Sequence, residues 1–179
     1  IYNQLIRKKV VIIEYQGFKD SESYFRKIHP YHLKQYNNRW FLFGHEESEK
    51  YSGITNLALD RIVGITETID EIKPNEIDWA DFFDEMIGVS IPSDKEAVEV
   101  ILRFSAKRIP YVLTKPLHGV SQRLDKTDPE NRTIILNLLP NKEMYQTLLS
   151  FGSDVEVLSP TEVVNEMRTI SDKMNSYYN

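Results

Sequence analysis

Two stretches decide the fold expected for the first half of the chain: His29-Pro30-Tyr31 followed by Arg39-Trp40-Phe41-Leu42-Phe43-Gly44, and Ala58-Leu59-Asp60-Arg61-Ile62. The run 39–44 is too short and too aromatic for an ordinary helix, and it ends at a glycine before a charged tip, His45–Lys50. It therefore predicts one strand of a hairpin. We expect positions 58–62 to form a further strand that carries a candidate ion pair, Asp60 and Arg61.

Alternation along the strand at 39–44 gives its two faces different characters. Trp40 and Leu42 fall on one face, and Arg39, Phe41 and Phe43 fall on the other. One face belongs to the core. The other carries an arginine beside aromatic rings, and such a surface suits a planar, anionic ligand.

The flanking sequence predicts about five short strands joined by tight connections in the first 70 residues. Pro30 is expected to end the second strand, because proline cannot donate to the ladder. The expected strands are Lys9–Tyr15, Ser23–His29, Tyr31–Tyr36, Arg39–Gly44 and Ile54–Thr68, the last one broken near Gly64. This spacing favours a small β-barrel or a strongly bent sheet.

The second half predicts an alternation of strands and helices. A helix over Asp78–Ile87 and a linker, Ile91-Pro92-Ser93-Asp94, precede the order β-α-β-β-α-β-α. The first six of these elements match a ferredoxin-like split βαβ arrangement. The expected fold is therefore α+β. We expect residues 1–91 to form the small barrel or strongly bent sheet with a trailing helix, and residues 92–179 to form a ferredoxin-like α/β sandwich.

Charge is distributed unevenly. Residues 1–45 carry a net charge of +5, whereas residues 46–99 carry −11, inside a chain of net charge −5. A basic segment within an acidic protein is compatible with a local anion site but not with bulk affinity for duplex DNA. The alternative is that the two segments neutralise each other across one fold.

Several classes of protein are disfavoured. No run of about 18 apolar residues predicts a membrane span, and the chain has no cysteine for disulfides or thiol chemistry. We expect a cytoplasmic protein. No phosphate loop or nucleophile elbow is present, and the four histidines have no carboxylates at metal-binding spacing. We therefore expect no enzyme activity, no metal and no cofactor.

A ligand-binding site is the more plausible function. The candidates are flat rings and forked or polar donors suited to bases and phosphates: His29, Tyr31, Arg39, Trp40 and Arg61. Each has a structural alternative. Trp40 is a candidate core residue, Arg61 a candidate partner of Asp60, and His29 a residue that satisfies a turn.

Taken in order, these residues resemble the WYL family of bacterial regulatory domains, which is named for a Trp-Tyr-Leu run. The resemblance lies in His29–Leu33, in Trp40-Phe41-Leu42 and in Leu59–Ile62. The second half is similar to the WCX extension that commonly follows. The residues that carry this second resemblance are Leu117-His118, Ser121-Gln122, Leu149–Gly152, Val155–Leu158 and Pro160.

The resemblance implies an Sm-like or SH3-like barrel that senses a nucleotide or short single-stranded nucleic acid. It also implies a ferredoxin-like extension that helps the protein form a homodimer. Members are typically transcription factors whose N-terminal winged helix-turn-helix contacts duplex DNA, and we expect that part to lie before Ile1. Of the candidate residues, His29, Tyr31, Trp40 and Arg61 match the family positions, and Arg39 is added from the residues alone.

Two departures from the family pattern bear on the ligand. Phe41 replaces the central tyrosine, and Thr55 and Ala58 stand where many members carry arginines. Fewer cations neutralise fewer phosphates, so we expect weaker and less salt-sensitive binding of an oligonucleotide. The leading hypothesis is a ligand-sensing, dimerising region of a transcriptional regulator. The alternative is a protein-interaction module without a small ligand.

Overall fold

The structure, a computed structural model, describes residues 1–48, 51–92 and 96–178. The chain forms two compact units, Ile1–Trp79 and Ala80–Asn179. Both contain an antiparallel sheet together with helices, so the α+β class expected from the sequence is confirmed. The predicted boundary between residues 91 and 92 stays a prediction. Ser93 and Asp94 of the predicted linker, and Glu49 and Lys50 of the predicted charged tip, lie outside the described residues.

The first unit is a five-stranded antiparallel sheet in the order β4-β3-β2-β1-β5. A short helix precedes it, and a 3-10 turn at Leu59–Arg61 joins the last two strands. The elements are α1 (Tyr2–Ile6), β1 (Val11–Tyr15), β2 (Tyr24–Tyr36), β3 (Arg39–Glu47), β4 (Ser52–Ala58) and β5 (Ile62–Glu67). Among the described strands the sheet is open, because β4 and β5 are its two edges. Of the two alternatives expected from the sequence, a small barrel or a strongly bent sheet, a closed barrel is not observed among these strands.

The prediction that Pro30 ends a strand is wrong, because β2 runs through it. The pairing of β2 with β3 shifts register between Pro30 and His32, and a bulge is a position where a strand tolerates proline. Gly44 lies opposite Pro30. A Cβ atom on Gly44 would lie 2.4 Å from the carbonyl oxygen of His29, so only glycine allows the two backbones to approach this closely.

The stretch at 58–62 is not a strand either. Its centre is the 3-10 turn, and β5 continues through Gly64, where a break was expected. Asp60 does not pair with Arg61. Its carboxylate lies 3.6 Å from Nε of Arg39, across from the turn.

The core of the first unit does not follow the simple alternation expected for β3. Leu42 and Phe43 are both fully buried, whereas Trp40 is 48% exposed. Leu42 packs in the core together with Val11, Ile13, Tyr15, Ile28 and Leu57. Phe43 is covered on the opposite face by the ring of Trp79, with 5.8 Å between the ring centroids. Both faces of β3 are therefore covered at this point, and the core alternative for Trp40 is wrong.

The second unit places helices on a four-stranded antiparallel sheet in the order β7-β8-β6-β9. The helix α2 (Trp79–Asp84) begins at the last residue of the first unit. The remaining elements are β6 (Val98–Phe104), α3 (Ile109–Thr114), β7 (Arg123–Leu124), β8 (Thr133–Leu138), α4 (Lys142–Leu149), β9 (Val155–Ser159) and α5 (Thr161–Asn175). Alternate residues of β6 and β8 bury one face against Met144, Leu148 and Val163.

Within the described parts of the chain, no helix has the length and apolar character needed to cross a lipid bilayer.

Candidate functional site

The turn between β1 and β2 carries an exposed ring flanked by two arginines. Phe18 is 72% exposed. The guanidinium of Arg61 lies 4.3 Å from the centroid of this ring, and that of Arg39 lies 5.7 Å from it. The backbone N–H of Gln16 donates to the carbonyl of Arg61 at 3.1 Å, which fixes the turn beside the 3-10 turn. This arrangement, called the arginine–phenylalanine patch below, consists of Phe18, Arg39 and Arg61.

The charge of Arg61 is not neutralised by a carboxylate among the residues that the structure describes. Its Nε atom is buried and has no hydrogen-bond partner there. The predicted alternative, an ion pair with Asp60, is therefore wrong. Arg39 does pair with Asp60, but both side chains are nearly half exposed, and exposed pairs of this kind contribute only about 0–1 kcal/mol. The guanidinium of Arg61 therefore has no competing carboxylate in the described chain, and that of Arg39 is held only by an exposed ion pair.

Phe18 was missed from the sequence. The available signal was a large aromatic residue within the polar turn Gln16–Glu22, a place where burial is not expected. Trp40, which follows Arg39 on β3, also offers an exposed ring.

His29 and Tyr31 perform a different task, because both bind one residue of the irregular segment that follows β5. We call this segment, residues 69–75, the strap. His29 is only 2% exposed, and its Nδ1 accepts a hydrogen bond from the backbone N–H of Lys73 at 3.0 Å. The hydroxyl of Tyr31 donates to the carbonyl of Lys73 at 3.1 Å. His29 therefore lies within a strand and binds a residue 44 positions later, rather than satisfying a local turn.

A carboxylate secures the side chain of the same lysine. Glu47 lies 2.9 Å from Nζ of Lys73, 3.3 Å from Nζ of Lys27 and 3.5 Å from Nε2 of His29. Hydrogen bonds from Lys73, then from His29 and Lys27, lower the pKa of Glu47 to about 2. Burial lowers the pKa of His29, and the neighbouring Glu47 opposes that shift. At neutral pH, therefore, an ionised Glu47 faces a neutral imidazole.

The five candidate residues therefore form two groups rather than one rim. His29 belongs beside the start of β1, since Ile28 pairs with Val11. Arg61 lies beside its end, next to Gln16. The five residues of β1 separate them, which corresponds to about 16 Å along the strand.

Over residues 1–48, 51–92 and 96–178, no group of three or more histidine, aspartate or glutamate side chains is placed to hold a metal ion.

Comparison with known proteins identifies the two halves. The family model of the WYL domain matches residues 1–67, and that of the WCX domain matches residues 96–174. The chain carries a WYL domain followed by a WCX domain. This confirms the resemblance inferred from the sequence, and it supports a regulatory region of a transcriptional regulator. No curated protein matches the chain.

Two solved structures resemble this WYL–WCX chain. One is a CRISPR Cas-related protein, with 17% identity and a TM-score of 0.58, matched over 100% of this chain and 50% of the other. The second is proteasome accessory factor B/C (PafBC) of Arthrobacter aurescens, with 14% identity and a TM-score of 0.38, matched over 99% of this chain and 26% of the other. The WYL–WCX chain therefore spans half or less of either protein. At 17% identity the likeness to the CRISPR Cas-related protein concerns the fold alone.

Proposed function

We propose that this chain is the effector-sensing region of a transcriptional regulator, and that its WYL domain binds a nucleotide or a short single-stranded nucleic acid. The observation that carries the proposal is the arginine–phenylalanine patch. An exposed ring offers a stacking face to a base, and two guanidinium groups beside it offer forked donors to phosphates.

The electrostatics of the patch support an anionic ligand. Arg61 is the stronger candidate of the two cations, because no carboxylate of the described chain competes for it. Arg39 has to leave Asp60, at 3.6 Å, before it can bind a phosphate. Since that pair is exposed, the exchange for a phosphate carries little penalty.

The five residues predicted from the sequence have three different roles in this proposal. Arg39 and Arg61 contact the phosphates, and Trp40 offers a second stacking face next to Arg39. His29 and Tyr31 hold the strap and act on the ligand only through it. Phe18 is added as the main stacking platform.

The finer architecture is part of the same proposal. The sheet order β4-β3-β2-β1-β5, with a 3-10 turn between the two edge strands, supports a bent sheet of the Sm/SH3-like type. In the second unit, the element order β-α-β-β-α-β and the sheet order β7-β8-β6-β9 support a ferredoxin-like arrangement.

We also propose the properties of the complete protein on the basis of its family. It acts in the cytoplasm as a homodimer, contacts duplex DNA through a separate N-terminal domain, and has no enzymatic activity of its own. The WCX domain supplies the contacts between subunits.

Titration of a fluorescein-labelled oligothymidylate of about ten nucleotides tests the proposal. The wild-type chain should bind it saturably at low salt. Phe18→Ala should weaken binding by about 5- to 150-fold, the equivalent of one stacked base. Arg61→Ala should weaken binding and reduce the dependence of log K on log salt by about 0.7. Arg168→Ala, an exposed arginine of α5, is the matched control and should bind as the wild type does.

Absence of saturable binding, or equal affinity in the Arg61 and Arg168 variants, would refute the proposal. The alternative would then be favoured: a protein-interaction and dimerisation module in which Arg61 only braces the turn at Phe18. The contact of Arg61 with that ring is the observation that favours this reading. Arg61→Ala would then lower the melting temperature without altering the binding of any nucleotide.

A further inference from the structure

The first unit also contains a concavity, which lies away from the arginine–phenylalanine patch. It has a volume of about 370 Å³, and it is formed by α1 with the residues just after it, by the bulge of β2, and by the strap. This size lies at the lower end of the range of small-molecule sites, roughly 300–1,000 Å³.

The walls of this concavity, called the strap pocket below, are largely apolar. Leu5 lines it from α1, Pro30 from β2, and Ile72 and Pro74 from the strap. The ring of Tyr31 completes the lining. An apolar body of a ligand would therefore be removed from water on several sides, which is favourable in proportion to the buried area.

Most polar groups in the walls are already satisfied. The backbone N–H of Lys73 is bonded to His29, and its carbonyl accepts from Tyr31. The ammonium of Lys73 is bound to Glu47. Asn75 uses its side-chain oxygen to accept from the backbone N–H of Ile77 at 3.2 Å. The backbone groups and ammonium of Lys73 and the side-chain oxygen of Asn75 therefore already have partners within the chain.

Two side-chain donors of the lining have no partner within the described residues. They are the NH₂ group of Asn75 and the ammonium of Lys8, and both side chains are exposed. Neither has an ion-pair partner in that part of the chain. Apolar walls beside an unpaired ammonium and an amide donor complement a molecule with an apolar body and one anionic acceptor.

The backbone of Lys8 supports a role for its side chain. Lys8 has φ of +50°, in the left-handed region that favours glycine, just after the last turn of α1. Its N–H bonds to the carbonyl of Leu5 at 3.1 Å, which fixes this conformation. A lysine is held here in spite of a conformational penalty that glycine would avoid, and strain of this kind is concentrated at functional sites.

From these observations we propose that the strap pocket binds a small amphipathic monocarboxylate. The carboxylate is bound by the ammonium of Lys8 and the amide of Asn75, and the hydrocarbon body lies against Leu5, Pro30 and Ile72. The site is distinct from the arginine–phenylalanine patch and does not depend on nucleic-acid binding. Because the strap supplies one wall, an occupant holds the strap against β2.

Isothermal titration calorimetry of the complete chain with octanoate and benzoate tests this site, with octanamide and benzamide as neutral counterparts. At least one acid should bind saturably below about 10 mM, and its amide should bind about tenfold more weakly or not at all. Lys8→Gly should abolish the preference for the acid. Lys126→Gln, which removes an exposed charge in the second unit, should leave it intact.

The Lys8 variant also controls for folding. Glycine adopts φ of +50° without strain, so the melting temperature of Lys8→Gly should equal or exceed that of the wild type. Loss of acid binding from a fully stable variant then reports on the side chain alone. Changes in amide ¹⁵N chemical shift on adding octanoate should fall on residues 5, 8, 72, 73 and 75.

Three results would overturn the proposal: no saturable binding of either acid, equal affinity for acid and amide, or unchanged acid binding by Lys8→Gly. Arg61→Ala separates this site from the proposed function. It should weaken oligothymidylate and leave the acids unaffected, whereas Lys8→Gly should do the reverse. Loss of acid binding in Arg61→Ala would assign the acids to the arginine–phenylalanine patch and refute a separate site.

Discussion

The hydrogen bond between His29 and the strap should make the strap sensitive to pH. Nδ1 of His29 can accept from the N–H of Lys73 only while that nitrogen carries no proton. Burial lowers the pKa of His29 below its usual value of 6.5. Once the strap has opened, the imidazole is free to titrate near that usual value. The open form therefore binds more protons than the closed form below about pH 6.5, and closure becomes less favourable as the pH falls.

One proton sets the upper limit of this effect. A single group whose protonation differs fully between two states changes their free-energy difference by about 1.4 kcal/mol for each pH unit. Between pH 6.5 and pH 5.0 the loss is therefore at most about 2 kcal/mol, or about 30-fold in the closing equilibrium. The lower limit is close to the value of one hydrogen bond, about 1 kcal/mol.

The charged groups around His29 determine whether a change in strap closure with pH can be assigned to protonation of an imidazole. The groups that face it are Glu47, His45 and Lys73, with Lys27 and Asp70 next to Glu47. The pKa of Glu47 is lowered to about 2, so its carboxylate stays ionised throughout the range from pH 7.5 to pH 5.0. Changes in that range therefore report on imidazole protonation rather than on loss of the Glu47 charge.

Amide hydrogen exchange at Lys73, expressed as a protection factor to remove the intrinsic pH dependence, measures the closing equilibrium. In the wild type, protection should fall by about 5- to 30-fold between pH 7.5 and pH 5.0. His29→Asn is the matched control, because its side-chain oxygen can replace Nδ1 as acceptor but does not titrate. Its protection should be independent of pH. An equal fall in the two proteins, or no fall in the wild type, would refute the reasoning.

Three further predictions concern stability and are measured by chemical denaturation. Gly44→Ala should destabilise the first unit by about 3 kcal/mol, because the new Cβ would meet a backbone oxygen at 2.4 Å. Gly119 has open space around it, so Gly119→Ala is the control and should change stability by less than about 0.5 kcal/mol. Leu42→Ala removes a fully buried side chain and should cost about 2–5 kcal/mol. Asn141→Ala removes the cap of α4 and two donor contacts to backbone carbonyls, so a loss of about 2 kcal/mol is expected in the second unit. A loss below about 0.5 kcal/mol in any of the Gly44, Leu42 or Asn141 variants would contradict the packing described for it.

The second unit was predicted well because its signals are local. The expected order β-α-β-β-α-β-α agrees with the elements from β6 to α5. Asparagine is a favoured cap residue, and the side chain of Asn141 accepts from the N–H of Met144 at 2.9 Å at the start of α4. Gly152 has φ of +55° in the 3-10 turn that follows this helix, a conformation that favours glycine. Such signals act within one turn of the chain, so they can be recognised without knowledge of distant partners.

The first unit was predicted less well because its decisive contacts are distant in sequence. The continuation of β2 through Pro30 depends on a glycine 14 positions later in β3. Trp40 was a candidate core residue because of its residue type. However, Leu42 and Phe43 are the buried residues of β3, and Phe43 is covered by Trp79, a contact that no local sequence pattern predicts. Tertiary context of this kind overrides strand propensity.

The difference between local signals and contacts distant in sequence also explains how much of the candidate site could be predicted. Residue chemistry selected Arg39 and Arg61 by type, but it could not reveal that Arg39 pairs with Asp60 or that Arg61 lies against Phe18, 43 positions earlier. Nor could it show that His29 and Tyr31 both bind Lys73, more than 40 positions later. Sequence reasoning identified side chains suited to a ligand and then grouped them by type, whereas the fold separates them into two groups.

The length of β2 has a practical consequence for protein engineering. Its 13 residues pair with β1 along the first part and with β3 along most of the rest, so the two hairpins share this strand. A chimera that exchanges only one hairpin for that of another sensor would cut a strand shared by both. Grafts between such sensors should therefore exchange the whole sheet, with crossover points placed before β1 and after β5.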